Sequence, residues 1–140
     1  MKTVLVPIDG SECSLRAIHY LIGARRGERD PTLHLLNVQP AMTGDVRQFV
    51  ARSDISEYHR AQSDDALRPA RDLLEGAGIA YESHLSLGHA AECIIRRADE
   101  LGCDHIVMGT HGRTALADLL VGSTTLRVLH GTLLPVVLVK

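Results

Sequence analysis

Gly109 and Gly112 flank the pair Thr110-His111, and after nine intervening residues come Gly122 and Ser123, with Thr124 and Thr125 next. Glycine has no Cβ, so a ligand can lie close against its backbone. Exposed amides in such a loop, or at the start of a helix, can point at phosphate oxygens. The hydroxyls of Ser123 and Thr124 can add donors. The chemistry this spacing suits is anion binding, with phosphate as the natural anion. It is not a Walker A loop, because no Gly-Lys-Ser/Thr occurs, and it is not the dinucleotide pattern GxGxxG. The only lysines are Lys2 and Lys140, so counter-charge for phosphates must come from amides, a metal ion or Arg113. A GxxG alone would describe a tight turn. GxxG joined at this spacing to Gly-Ser, directly after an apolar run ending in Met108, is far more specific.

The elements that position these residues alternate between short β-rich runs and longer helical patterns. Residues 3–8 read as a buried strand, and Asp9-Gly10-Ser11 as a turn in which Ser11 caps a helix. Leu15, Ile18 and Ile22 follow at helical spacing, predicting an amphipathic helix from 12 to about 26. Residues 33–38 form a second strand and 40–52 a loop. A longer helix is expected over about 54–74, with Asp54 and Glu57 at capping-box spacing. Pro69 should kink or split it, and Gly76 and Gly78 close it. A third strand over 79–87 alternates with polar residues, which suits a more exposed position in the sheet. A third helix carries Ala91, Ile94, Ile95, Ala98 and Leu101. Residues 104–108 form a fourth strand, about 116–130 a fourth helix in which Thr125 packs, and 135–139 a last, strongly apolar strand. Five strands alternating with four helices imply an α/β fold, a single domain over 1–140 with a parallel open sheet and helices on both faces. Ligands in such sheets bind beyond the carboxyl ends of the strands. Asp9, Val38 and Gly109 each stand at such an end.

Composition narrows the function. The formal net charge of −2 supplies no basic field for DNA or RNA, and Arg25-Arg26 and Arg96-Arg97 read as solvated helix faces. The three cysteines, Cys13, Cys93 and Cys103, have no CxxC spacing, which fits free thiols in a reducing cytosol. The eight histidines are scattered, no HExxH occurs, and no His/Cys group has zinc spacing, so no metal ligand is assigned. No apolar run approaches the roughly 20 residues of a membrane span, and the start at Met1 lacks the apolar core of a signal peptide. A cytoplasmic protein is expected.

Val6-Pro7-Ile8-Asp9-Gly10-Ser11 resembles the opening of universal stress proteins. Residues 106–113 followed by Gly122-Ser123 match the family's G-2x-G-9x-G-(S/T) signature without a gap, and residues 134–139 match its closing strand. The resemblance covers nearly the whole chain. It implies a Rossmann-like sheet of order 3-2-1-4-5 and a homodimer joined through the last strand, Val136–Val139. Because the signature is complete, the resemblance is to the ATP-binding members. It then implies that Pro7 and Ile8 shape an apolar pocket, and that Asp9 and the Val38 backbone address the adenine and its surroundings. By the same pattern Met108 and Gly109 line the ribose side, and Gly112, Gly122, Ser123 and Thr124 hold the phosphates. His111 and Arg113 lie in the same loop. The cofactor implied is ATP, or ADP or AMP, with Mg²⁺ as the accompanying ion.

Three functions compete. A nucleotide-binding regulator of the stress response needs only the loop and the pocket. A slow ATPase or autophosphorylating enzyme needs a positioned base and charge stabilisation. No residue is identified for that base, and His111 is a candidate by proximity alone. A nucleotide-free interaction scaffold does not need the intact signature. The first is the reading the residues favour, with no catalytic residue assigned.

Overall fold

The computed structural model describes residues 1–25, 29–42, 44, 51–110 and 121–140. Strands and helices alternate as β1 (Thr3–Pro7), α1 (Glu12–Gly23), β2 (Thr32–Gln39), α2 (Arg52–Gly76), β3 (Tyr81–Leu87), α3 (Ala90–Glu100), β4 (His105–Gly109), α4 (Ser123–Gly131) and β5 (Val136–Val139). All neighbouring strands are parallel, in the order β3-β2-β1-β4-β5. This is the order that the resemblance to universal stress proteins implies.

The two-residue period of a strand divides the apolar side chains between two cores. Val4, Val6, Leu33, Leu35 and Val107 face Ala17, Ile18 and Leu21 of α1 and Leu67, Ala70 and Leu74 of α2. Leu5, Leu36, Ile106 and Met108 face Ala91, Ile94 and Ala98 of α3 and Val128 of α4. The sheet is therefore covered on both faces, and Val4, Leu5 and Val6 in the central strand are wholly inaccessible. β3 lies at one edge, with Glu82, Ser83 and Leu87 exposed, which explains its alternating polar pattern. β5 lies at the other edge and is half-buried throughout. The carbonyls of Pro135 and Val139 accept from Ile106 and Thr110 of the β4 side. By alternation the peptide groups of Val136 and Leu138 face outward from the sheet.

The helix boundaries obey local chemistry. Ser11 caps α1, its Oγ accepting from the Ser14 amide at 3.1 Å. The helix stops at Gly23, short of the expected 26, and just beyond it the Arg25 guanidinium makes a paired contact with Asp30 at 2.7 and 2.8 Å and donates to the Ala77 carbonyl at 2.8 Å. α2 and α3 close in the same manner. Gly78 and Gly102 take the left-handed conformation (φ +67° and +63°), and the next amides, of Ile79 and Cys103, reach back to Leu74 and Ala98 at 2.9 Å.

Three further expectations are corrected. Asp54 and Glu57 form no capping box. The cap is Ala51, without a side-chain bond, so Asp54 already lies in the first helical turn, where its charge meets the amide end of the helix dipole. Pro69 does not split α2, which is continuous over 25 residues. Pro69 is exposed, as is Asp65 one turn earlier. The carbonyl that proline leaves without a donor therefore lies on the solvent side, while Leu67, Ala70 and Leu74 hold the opposite face in the core. The fourth helix does not run through from 116. Gly122 is its cap in an extended conformation (φ −72°, ψ 161°), because its amide is drawn to the Thr110 carbonyl, and α4 starts at Ser123. Most of the 40–52 loop and residues 111–120 lie outside the described residues, as does Arg26. No helix among the described residues is long and apolar enough to cross a membrane.

Candidate functional site

Strand order reverses about β1 and β4, since the chain runs outward to β2 and β3 and then returns to the other side of β1. At such a point the connections leave in opposite directions and a crevice opens at the carboxyl ends of the strands. A cleft of about 110 Å³ lies there, lined by Pro7, Ile8, Asp9, Leu36, Val38, Ala90, Ile94, Met108, Gly109, Thr124 and Thr125. Pro7, Ile8, Asp9, Val38, Met108, Gly109 and Thr124 are all residues singled out from the sequence, far apart in the chain and together here.

Each wall has a local cause. After β1, Asp9 Oδ1 accepts the Ser11 amide at 2.9 Å. Gly10 takes φ +85°, a conformation a side chain rarely adopts, with Ala66 of α2 close by. This tight turn sends α1 off at once and leaves Asp9 on the rim. Beside it, Asn37 is buried and donates Nδ2–H to the Ile8 carbonyl at 2.8 Å, while its Oδ1 accepts from Gln39 at 2.8 Å. The Leu36 carbonyl accepts the Ile8 amide at 2.8 Å. The peptide groups of Val38 point to the same side two residues further on, where β1 has ended. They are thus left open toward the cleft.

Gly109 has a packing role as well as a lining one. A Cβ built on it would stand 2.4 Å from the Cys13 carbonyl oxygen of α1, so only glycine lets α1 cross the end of β4 this closely. The far side of the glycine segment is fastened to the same place. The Gly122 amide donates to the Thr110 carbonyl at 2.6 Å, and Thr125 Oγ1 donates to the Gly109 carbonyl at 3.3 Å. Gly122 therefore presents no free amide in this arrangement. The first amides of α4, from Ser123 to Thr125, have no partner within the helix, as at any helix start, and among the described residues no side chain caps them. His111, Gly112 and Arg113 lie outside the described residues.

Leu36, Ala90, Ile94 and Thr125 complete the lining without having been singled out as site residues. The apolar three carry no chemical signal; helical periodicity places Ile94 in a core, and nothing local says that this core opens at one end. Thr125 is buried, as expected of a packing residue, but its hydroxyl also anchors the loop.

None of the described cysteines is in a disulfide, and Cys93 and Cys103 are buried. Burial, with Asp104 beside it, pushes the Cys103 thiol up to about 11, so it stays protonated and unreactive. The histidines are less scattered than their spacing suggests. His34 and His59 are buried, and His34 stands against His84.

The fold and the cleft together define an α/β protein of the doubly wound class with its ligand crevice at the switch point. The chain belongs to the universal stress protein family, whose pattern it matches over residues 1–140. It is 31% identical to the universal stress protein MJ0531 of Methanocaldococcus jannaschii, covering 99% of this chain and 82% of that one. Among solved structures, MJ0577 of the same organism superposes with a TM-score of 0.85 at 26% identity, over 99% of this chain and 95% of that one. A universal stress protein solved in complex with cAMP superposes with a TM-score of 0.72 at 25% identity, over 99% and 97% of the two chains.

Proposed function

We propose that this chain binds an adenine nucleotide, ATP foremost, in the cleft at the ends of β1, β2 and β4, and that it acts as a homodimeric regulator in the stress response. The observation that carries the reading is the convergence of Pro7, Ile8, Asp9, Val38, Met108, Gly109 and Thr124 on one cleft beneath the start of α4. The similar protein solved with cAMP supports the adenine class of ligand.

The roles follow from what each wall offers. The open N–H and C=O of Val38 suit the edge of an adenine ring, which needs one acceptor and one donor. Pro7, Ile8, Leu36, Ile94 and Met108 give the ring an apolar bed. Asp9 stands where a ribose or adenine donor would reach it, and Gly109 on the ribose side. The phosphates lie against the amides at the start of α4, with the Ser123 and Thr124 hydroxyls, where the helix dipole favours negative charge. Gly122 contributes by having no side chain, while its own amide serves the loop. Gly112, His111 and Arg113 are assigned to the phosphate side by their place in the segment. Mg²⁺ would be held by phosphate oxygens and water, with Asp9 the carboxylate that lines the cleft. Dimerisation through β5 is supported by the outward peptide groups of Val136 and Leu138, an unpaired edge of the kind that pairs with a second copy.

The test is direct. Protein purified from the cell is denatured and its supernatant analysed for nucleotide, and the thermal midpoint is measured with and without ATP and Mg²⁺. Adenine nucleotide in the supernatant, or a rise in midpoint on addition, is expected. Neither effect, in protein shown to be folded, would remove the reading.

A further inference from the structure

Away from the cleft, the edge strand β3 and its neighbour β2 bring together three side chains that no sequence spacing connects. In the parallel register His34 stands opposite Glu82, and Leu36 opposite His84. His34, Glu82 and His84 therefore project from one face, with the two histidines diagonal to each other. His34 Nδ1 and His84 Nε2 are 3.0 Å apart. The same two nitrogens lie 3.7 and 3.9 Å from Glu82 Oε2. The three ligand atoms all fall within 4.8 Å of one another.

We propose that His34, His84 and Glu82 bind one divalent transition-metal ion of the zinc, cobalt or nickel class. Bonds of about 2.0–2.2 Å to imidazole nitrogen and carboxylate oxygen in a tetrahedral site would place the three donors roughly 3.3–3.5 Å apart, close to the spacing already present. Two imidazoles and one carboxylate select such ions over Mg²⁺ or Ca²⁺, which prefer all-oxygen sites. The site is held from within and open outward. The His34 side chain is only 8% exposed and His84 18%, whereas Glu82 is 65% exposed and leaves a fourth position to solvent.

The surroundings of His84 favour a neutral ligand. Burial, then the neighbouring His34 and the Arg97 charge, depress the His84 pKa, so this ring is neutral near pH 7. Of the hydrogen-bonded pair, the donating ring has only to shift its proton to its other nitrogen for both inward nitrogens to become ligands. Arg97, on α3 over the same face, opposes a cation, but it is turned aside to Ser86 and Glu100 at 3.3 Å each. The carboxylate of Glu82 offsets its charge. Bound there, the ion would fasten the edge strand β3 to β2 through side chains as well as through the ladder. The site lies up the strand from the cleft, with Leu36 between them on the same face, and it rests on no feature of the nucleotide reading.

The full chain, without a histidine tag, stripped of metal by chelator and free of nucleotide, is titrated with Zn²⁺ by calorimetry and with Co²⁺ by visible absorption. The expected result is one equivalent per chain with a Kd in the micromolar range. It should come with a cobalt spectrum lacking thiolate charge transfer, and a thermal midpoint that rises with Zn²⁺. His84→Gln should weaken binding at least about tenfold, a loss of about 1.4 kcal/mol, and abolish the rise in midpoint. Glu82→Gln, at an exposed position, should weaken it without disturbing the fold, and His19→Gln on α1 should leave it unchanged. Absence of one-equivalent binding would reduce the trio to a structural hydrogen bond. Affinity retained in His84→Gln and Glu82→Gln would assign the metal elsewhere. Either result overturns the proposal.

Discussion

Asn37 donates its side-chain amide to the carbonyl of Ile8 at 2.8 Å, at a position only 2% accessible to solvent. The backbone ladder ends with the Ile8 amide bonded to the Leu36 carbonyl, and the Asn37 side chain takes up the carbonyl of the same residue. It fixes where the chain leaves the sheet and so where Asp9 stands. Asn37→Leu leaves the buried Ile8 carbonyl without a donor, which costs about 1–3 kcal/mol. A lower thermal midpoint and weaker nucleotide binding are both expected, the second read by calorimetry at a temperature where the variant is folded. An unchanged midpoint would mean that water replaces the amide.

Gly109→Ala tests the close crossing of α1. The added Cβ would meet the Cys13 carbonyl, which is backbone and cannot rotate away. A destabilisation of about 1–3 kcal/mol is expected from overpacking, measured by denaturant unfolding. The backbone angle at Gly109 is not in the left-handed region, so the penalty is steric rather than conformational.

Gly122→Val addresses the phosphate side. Gly122 has an extended backbone that valine can adopt, so the fold should survive. A branched side chain would occupy the place proposed for phosphate, and loss of ATP binding is expected with near-normal circular dichroism. Retained affinity would contradict the loop assignment.

Asp104 gives a pH signature. Its carboxylate accepts from His105 Nδ1 at 2.9 Å and from the backbone amides of Lys2 and Thr3 at 2.8 and 3.3 Å, joining the start of β4 to the start of β1. The His105 bond first, then the two amides, hold its pKa down to about 2, against 3.8 ordinarily. A carboxyl depressed on folding contributes stability above its unfolded pKa and loses it as pH falls through the folded one. Asp104→Asn should therefore be less stable than the parent at pH 7, by no more than about 1 kcal/mol because the side chain is partly exposed and screened by solvent. The difference should close between pH 4 and pH 2. A difference independent of pH would point to lost packing instead.

Leu138→Pro tests the edge. Proline is tolerated in an edge strand where its missing amide faces outward, as it does at Leu138. Sedimentation should show the parent as a dimer and the variant shifted to monomer, with nucleotide binding kept. A variant that remains dimeric would place the interface elsewhere.

The alternation of elements, the parallel sheet and its exposed third strand were all legible in the residues alone. These depend on apolar period and on short-range chemistry, which act within a few residues: Ser11 at its cap, Gly78 closing α2, the polar alternation of 81–87. The family signature added the strand order and the candidate ligand residues. The start of α4 was less legible, because a contact from another segment decided it: the Thr110 carbonyl draws Gly122 out of the helix. Only the tertiary structure decided that Gly109 is demanded by the Cys13 carbonyl, that Leu36 and Ile94 open onto a cleft, and that His34, Glu82 and His84 meet. The reason is the register of β2 on β3. Residues some fifty positions apart become neighbours through a ladder whose offset no local pattern encodes.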